Sequence, residues 1–141
     1  MKKILIYTDG GARGNPGPAA CGVYITDSDS NVLARLGISL GIATNNVAEY
    51  QGVLHALSWL LENPSATKDI IGISFFLDSQ LVCRQLLGEY KVKDANLQGL
   101  YYQALEKQRK LSIPIHFSHI PREQNKNADL LVNQALDAAV K

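Results

Sequence analysis

The sequence predicts an α/β fold, a five-stranded mixed sheet flanked by helices, with elements in the order βββαβααβα. Three observations predict it. Three strand-like runs precede any helical pattern, so the chain opens as an antiparallel meander. A long amphipathic segment then separates the third run from the fourth. A helix between two strands of one sheet is a crossover, which lets the fourth strand lie parallel to the first and beside it. Finally, the first and fourth runs each end in an aspartate, so this topology brings Asp9 and Asp78 out at one carboxyl edge, where open sheets of this kind place their ligands.

The first strand is the β-branched and apolar run Lys3-Ile4-Leu5-Ile6-Tyr7-Thr8, ending in Asp9-Gly10-Gly11. Asp-Gly at a strand end also reads as a simple turn opener. Residues 10–18 hold four glycines and two prolines, which forbid a helix directly after the strand. These glycines miss the G-x-G-x-x-G spacing and no Gly-Lys-Ser/Thr follows, so a dinucleotide-binding start and a P-loop are both excluded. Residues 21–26 and 32–40 read as the second and third strands, joined by the turn-rich Asp27-Ser28-Asp29-Ser30-Asn31. Thr44-Asn45-Asn46 offers capping side chains to the long helix, whose Val47, Val53, Leu54, Leu57, Leu60 and Leu61 recur at helical spacing until Asn63-Pro64. Residues 71–77 form the fourth strand. Asp78-Ser79-Gln80 then caps a helix over 81–87 that Gly88 ends. After a short link comes a helix over 96–110, whose stripe of Leu97, Leu100, Tyr101, Ala104 and Leu105 is core packing. The last strand, 114–120, alternates in the manner of an exposed edge, and a final helix over 127–140 carries Ala128, Leu131, Val132, Ala135 and Leu136.

With 141 residues, 46% of them hydrophobic, the expectation is one domain over 1–141, with no linker, internal repeat or low-complexity tract. No apolar run approaches the roughly 20 residues of a membrane span. The start, Met1-Lys2-Lys3 before only four apolar residues, is too short for a signal peptide, so the expected location is cytoplasmic. Cys21 and Cys83 lack metal-ligand spacing and are expected as buried free thiols. A net charge of +1 gives no support to a nucleic-acid partner; only local arrangement can.

That arrangement is four acids at element ends. Asp9 and Asp78 close strands, and Glu49 and Asp129 lie near the starts of helices. Carboxylates brought to one spot repel and raise one another's pKa unless a cation intervenes. Hard oxygen ligands without Cys or clustered His point to Mg²⁺ or Mn²⁺ rather than Zn²⁺. Two such ions about 4 Å apart are the arrangement that displaces a phosphodiester in line. Order in the sequence does not establish convergence, and each acid taken singly also reads as a solvated surface residue.

Thr8-Asp9-Gly10-Gly11-Ala12-Arg13-Gly14-Asn15-Pro16-Gly17, Thr44-Asn45-Asn46-Val47-Ala48-Glu49, Asp78-Ser79-Gln80 and Pro121-Arg122-Glu123-Gln124-Asn125-Lys126-Asn127-Ala128-Asp129 together resemble the type 1 ribonuclease H family, in order and from residue 4 to about residue 136. The resemblance implies a ribonuclease H-like fold. It also implies an endonuclease that cuts the RNA strand of RNA/DNA hybrids, leaving 5′-phosphate and 3′-hydroxyl ends. Asp9, Glu49, Asp78 and Asp129 match the family's metal-binding acids. Asp9 would bridge two Mg²⁺ ions, Mn²⁺ being a possible substitute, and water rather than a side chain would be the nucleophile. Glu49 would also approach the RNA 2′-hydroxyl, and Asp129 would hold the ion nearer the attacking water. Asn15, Asn45 and Gln80 match positions that contact the minor groove of the hybrid, and Thr44 one that contacts a DNA phosphate. Amide groups suit a groove read by shape. Asn15 also reads as a turn residue and Thr44 or Asn45 as a helix cap. Gly10 and Gly11, with Arg13 beside them, would let the backbone approach the RNA ribose.

Many members of the family carry a His before the final acid that assists turnover. His119 has a fitting ten-residue offset from Asp129, but Arg122 lies in the Pro-Arg-Glu motif of a subgroup that lacks the His, and Arg122 is the favoured candidate. Between the two central helices, where other members insert a basic, Trp-bearing protrusion, this chain has only Tyr90, Lys91 and Lys93 in a short turn. Hybrid affinity is therefore expected to be modest and salt-dependent. The expected protein is a monomer with no small-molecule cofactor and no membrane partner. Alternatives are a same-fold nuclease acting on RNA/RNA duplexes or junction DNA, and a non-catalytic nucleic-acid-binding module. A binder gains nothing from clustered acids facing phosphates, which argues against the last.

Overall fold

The computed structural model describes residues 2–140. The strands are β1 (Lys2–Ala12), β2 (Gly17–Asp27), β3 (Val32–Ala43), β4 (Ile70–Leu77) and β5 (Ile115–His119), and the helices are α1 (Asn45–Glu62), α2 (Pro64–Thr67), α3 (Gln80–Leu86), α4 (Ala95–Leu111) and α5 (Lys126–Ala139). The sheet order is β3-β2-β1-β4-β5, with β1 antiparallel to β2 and parallel to β4. The meander, the crossover beside β1 and the edge position of β5 all follow the sequence reading.

Strand alternation divides the molecule into two layers on the sheet. Ile4, Ile6, Val23, Ile25, Ile73, Phe75 and Leu77 are buried in one core with α1, α3 and α4. On the opposite face lies α5, whose Val132 and Leu136 form a smaller cluster with Ala20. Cys21 and Cys83 are buried free thiols, as expected. Among the described residues no helix is long and apolar enough to cross a membrane.

Three of the helices, α1, α3 and α4, begin where their caps dictate. Thr44 Oγ1 accepts from Val47 N, Ser79 Oγ from Val82 N and Asp94 Oδ1 from Leu97 N. The turn after β2 is built by Asp27, whose Oδ1 accepts from the backbone N–H groups of Asp29 and Asn31. Four features differ from the sequence reading. β1 does not close at Asp9 but runs on to Ala12, because β2 continues to pair with it as far as Ala12↔Ala19. β2 starts at Gly17 rather than at residue 21, because Pro18, next to the strand start, gives up little by lacking an N–H while its carbonyl accepts from Arg13 N at 2.8 Å. β3 runs on past residue 40 to Ala43, through an irregularity in register opposite Ala19 and Ala20 where Gly41 has φ 72°. Asn63-Pro64 ends α1, yet Pro64 also opens the single turn of α2, since proline is tolerated at a first helical position.

Candidate active site

The parallel ladder between β1 and β4 runs up to the Thr8↔Leu77 pair, so Asp9 and Asp78 lie side by side just past its last rung, Asp78 beyond the end of β4 and Asp9 still within β1. Glu49 reaches them because α1 lies directly on the end of β1. A Cβ on Gly10 would overlap the backbone of Ala48 and Glu49, and one on Gly52 would come within 3.1 Å of the Asp9 carbonyl oxygen. The same device places Asp129 from the other face. Gly22 pairs with Asp9 across the β1–β2 ladder, and a Cβ there would overlap the Ala128 carbonyl oxygen of α5. Missing side chains thus let two helices approach the strand pair at the level of Asp9, each carrying one acid.

Carboxylate oxygens of Asp9, Glu49 and Asp78 lie within 4.8 Å of one another. Asp129 lines the same cleft outside that tight group. Asp9 is 3% exposed and Glu49 6%. Burial, then the Asp78 charge, pushes the Asp9 pKa up to about 7. Burial first, then the charges of Asp9 and Asp78, holds Glu49 well above the usual carboxylate range. Gly10 N donates to Asp9 Oδ1 at 2.9 Å, but Glu49 Oε2 is buried with no hydrogen-bond partner. Among the described residues no Lys or Arg forms an ion pair with any of the four acids. A compact set of hard oxygen donors, one of them orphaned and all lacking a cationic side chain, fits a divalent cation.

The cleft, about 370 Å³ in volume, is also lined by Gly10, Gly11, Arg13, Asn45 and Arg122 from the residues singled out in the sequence. The other three lie outside its lining. Thr44 is the cap of α1, Gln80 is the exposed first residue of α3, and Asn15 supports Asn45 from behind. Asn15 Oδ1 accepts from Asn45 N at 3.0 Å, while Asn45 Oδ1 accepts from Ala12 N at 2.8 Å, so amide groups tie the β1–β2 loop to the start of α1. Arg13 is paired with Asp137 of α5 at 2.7 Å. Arg122 sits in the 3₁₀ turn before α5 and faces the cleft; His119, exposed at the end of β5, is not in its wall.

One residue escaped the sequence reading. Asn125 is 1% exposed, and its Nδ2 donates to Thr8 O at 2.8 Å and to Asp78 Oδ2 at 2.9 Å. Its position four residues before Asp129 was the available signal, but an Asn ahead of a helix reads as a cap, and here the side chain makes no cap bond.

A family model described as reverse transcriptase-like matches residues 7–135. The chain is 39% identical over 140 residues to the bifunctional protein Rv2228c of Mycobacterium tuberculosis, a match covering 99% of this chain and 37% of that protein. It is 37% identical over 137 residues to ribonuclease HI of Halobacterium salinarum, covering 97% of this chain and 66% of that protein. The chain therefore spans little more than a third of the mycobacterial relative's length. Among solved structures, LC11-RNase H1, isolated from compost by a metagenomic approach, superposes with a TM-score of 0.93 at 44% identity, covering 100% of both chains. The structure of LC11-RNase H1 in complex with an RNA/DNA hybrid superposes with a TM-score of 0.92 at 43% identity, over 98% of this chain and 99% of that one. The matched span and the shared fold at this identity mean that the chain belongs to the type 1 ribonuclease H family.

Proposed function

We propose that this protein is an endonuclease that hydrolyses the RNA strand of RNA/DNA hybrids, leaving 5′-phosphate and 3′-hydroxyl ends, with two Mg²⁺ ions held by Asp9, Glu49, Asp78 and Asp129. The observation that carries the reading is the meeting of the Asp9, Glu49 and Asp78 oxygens within 4.8 Å, in a cleft whose wall also includes Asp129, Gly10, Gly11, the amide of Asn45 and two arginines. Its likeness to LC11-RNase H1, whose complex holds an RNA/DNA hybrid, supports the choice of substrate. Mg²⁺, or Mn²⁺ in its place, is assigned on the hardness of the donors. When bound, such ions supply an activated water and neutralise charge at the phosphodiester.

The chain's own residues do the rest. Asp9, steadied by the Gly10 N–H, would hold the metal together with Glu49, Asp78 and Asp129. Glu49 stands on the side of the RNA ribose, where a 2′-hydroxyl distinguishes RNA from DNA. Gly10 and Gly11 let that strand come close to backbone, and Asn45, braced by Asn15, offers an amide to the groove. Thr44 and Gln80 flank this surface, with Thr44 toward a DNA phosphate. Arg13 and Arg122 offer positive charge to phosphates, and Arg122 rather than His119 assists turnover because it faces the cleft.

The test is cleavage of an end-labelled hybrid by wild type and Asp9→Asn, each with Mg²⁺, with Mn²⁺ and with EDTA, beside matched DNA/DNA, RNA/RNA and junction-DNA substrates. Cutting of the RNA strand by wild type with metal, and loss of it with EDTA or in Asp9→Asn, is the expected result. Cutting of another duplex in preference to the hybrid would transfer the site to that substrate. Binding of hybrid without cutting under either metal would leave a binding module.

A further inference from the structure

We propose that Asn125 is a positioning residue of the metal centre, its carboxamide locking the Asp78 carboxylate and the start of α5 onto the end of β1. The inference rests on the reading of the acids as a metal site. Both groups that Asn125 Nδ2 meets, the Thr8 carbonyl and Asp78 Oδ2, are acceptors, so the amide can sit only one way round. Thr8 precedes Asp9 on β1, and Asp78 follows β4. The main chain of Asn125 extends the contact to the fourth acid, because its carbonyl accepts from Asp129 N at 3.1 Å in the first turn of α5. One side chain therefore bridges β1 next to Asp9 and the Asp78 carboxylate just past β4, while its backbone opens the helix that carries Asp129.

Two further observations separate this role from packing. Asn125 is buried, yet its Oδ1 has no partner, so an apolar residue of the same shape would spare the fold an unsatisfied group. The residue stands at the head of α5 without giving the helix a cap bond, so the amide is not there for the helix. What it does is occupy one Asp78 oxygen and stop that carboxylate from rotating. Hydrogen-bonded carboxylates make better-aimed ligands, and loss of such a supporting partner typically lowers metal affinity about 10–100-fold.

The experiment compares wild type with Asn125→Ala and the isosteric Asn125→Asp. Mg²⁺ binding is measured by titration calorimetry without nucleic acid, Mg²⁺ dependence is measured in hybrid cleavage, and folding is checked by circular dichroism. The expected result is a fall in Mg²⁺ affinity of about 10–100-fold. The Mg²⁺ concentration for half-maximal cleavage should rise by a similar factor, with the KM for hybrid unchanged. A folded variant with wild-type Mg²⁺ affinity overturns the proposal. If neither variant folds, ¹⁵N-labelled wild type decides: the Asn125 side-chain amide protons should exchange slowly and shift on addition of Mg²⁺, and no shift at saturating Mg²⁺ overturns it. Wild type that neither binds Mg²⁺ nor cuts hybrid would instead overturn the function assigned above and this inference with it.

Discussion

Asp9 shows what a single buried acid does to the molecule that carries it. Its pKa is near 4 in an unfolded chain and rises to about 7 in the folded one, chiefly through burial and then through Asp78. Between those values the folded state binds more protons than the unfolded state, so the stability contributed by protonated Asp9 is full at low pH and is lost as pH rises toward 7. Glu49 moves in the same direction. In metal-free protein the melting temperature should therefore fall between pH 5 and 8, by several degrees on the order of 5 °C. Asp9→Asn should flatten that fall, and Mg²⁺ at pH 8 should reverse it; melting curves read by circular dichroism check all three. The acids themselves were legible in the sequence because each ends an apolar run or opens a helix. Asn125 was not, because its partners lie 47 and 117 residues away and nothing in local spacing distinguishes an inward-turned amide from a cap.

At the scale of elements, the site depends on how closely two helices lie on one strand pair. Gly22→Ala forces a Cβ against the Ala128 carbonyl, so α5 must move and carry Asp129 with it. Overpacking of this kind costs about 1–3 kcal/mol. A displacement near 1 Å at a catalytic group can lower the rate about a hundredfold. Gly88→Ala is the contrast: its φ of 79° strains an alanine, but no atom lies within 4 Å of the added Cβ. It should lose about 1 kcal/mol of stability and keep its cleavage rate. Urea denaturation beside hybrid cleavage separates the two variants. Order and pairing of the elements were readable from periodicity, because the crossover rule leaves one place for β4 once the meander is drawn. Contacts such as Gly22 with Ala128 were not readable, since a glycine inside a strand reads equally well as a bulge or a close approach. The single turn of α2 was hidden behind a proline that both stops one helix and starts another.

Taken whole, the molecule offers few charges to the nucleic acid it is proposed to bind. Its net charge is +1, the 87–94 link holds only Lys91 and Lys93 as bases, and neighbouring Arg84 is engaged by Glu89 at 2.8 Å and stacked over Tyr90. Affinity for hybrid should fall about a hundredfold between 50 and 200 mM salt if some four phosphates are neutralised. Fluorescence anisotropy of a labelled hybrid in EDTA measures the slope, and a salt-independent affinity would show that charge is not what holds the duplex. The pairing of β1 with β4 sets a different kind of limit. Asp9 and Asp78 both follow the last rung of the parallel ladder, Thr8↔Leu77, so their attachment points are separated by the inter-strand spacing, about 4.8 Å. Peptide hydrogen bonding makes that separation a gauge block, machined by the backbone and insensitive to which side chains fill the core. Tolerance then resides only in the length of the acid mounted on it. Asp78→Glu preserves charge and donor type but overshoots by one carbon–carbon bond, about 1.5 Å, and should lose cleavage nearly as completely as Asp78→Asn.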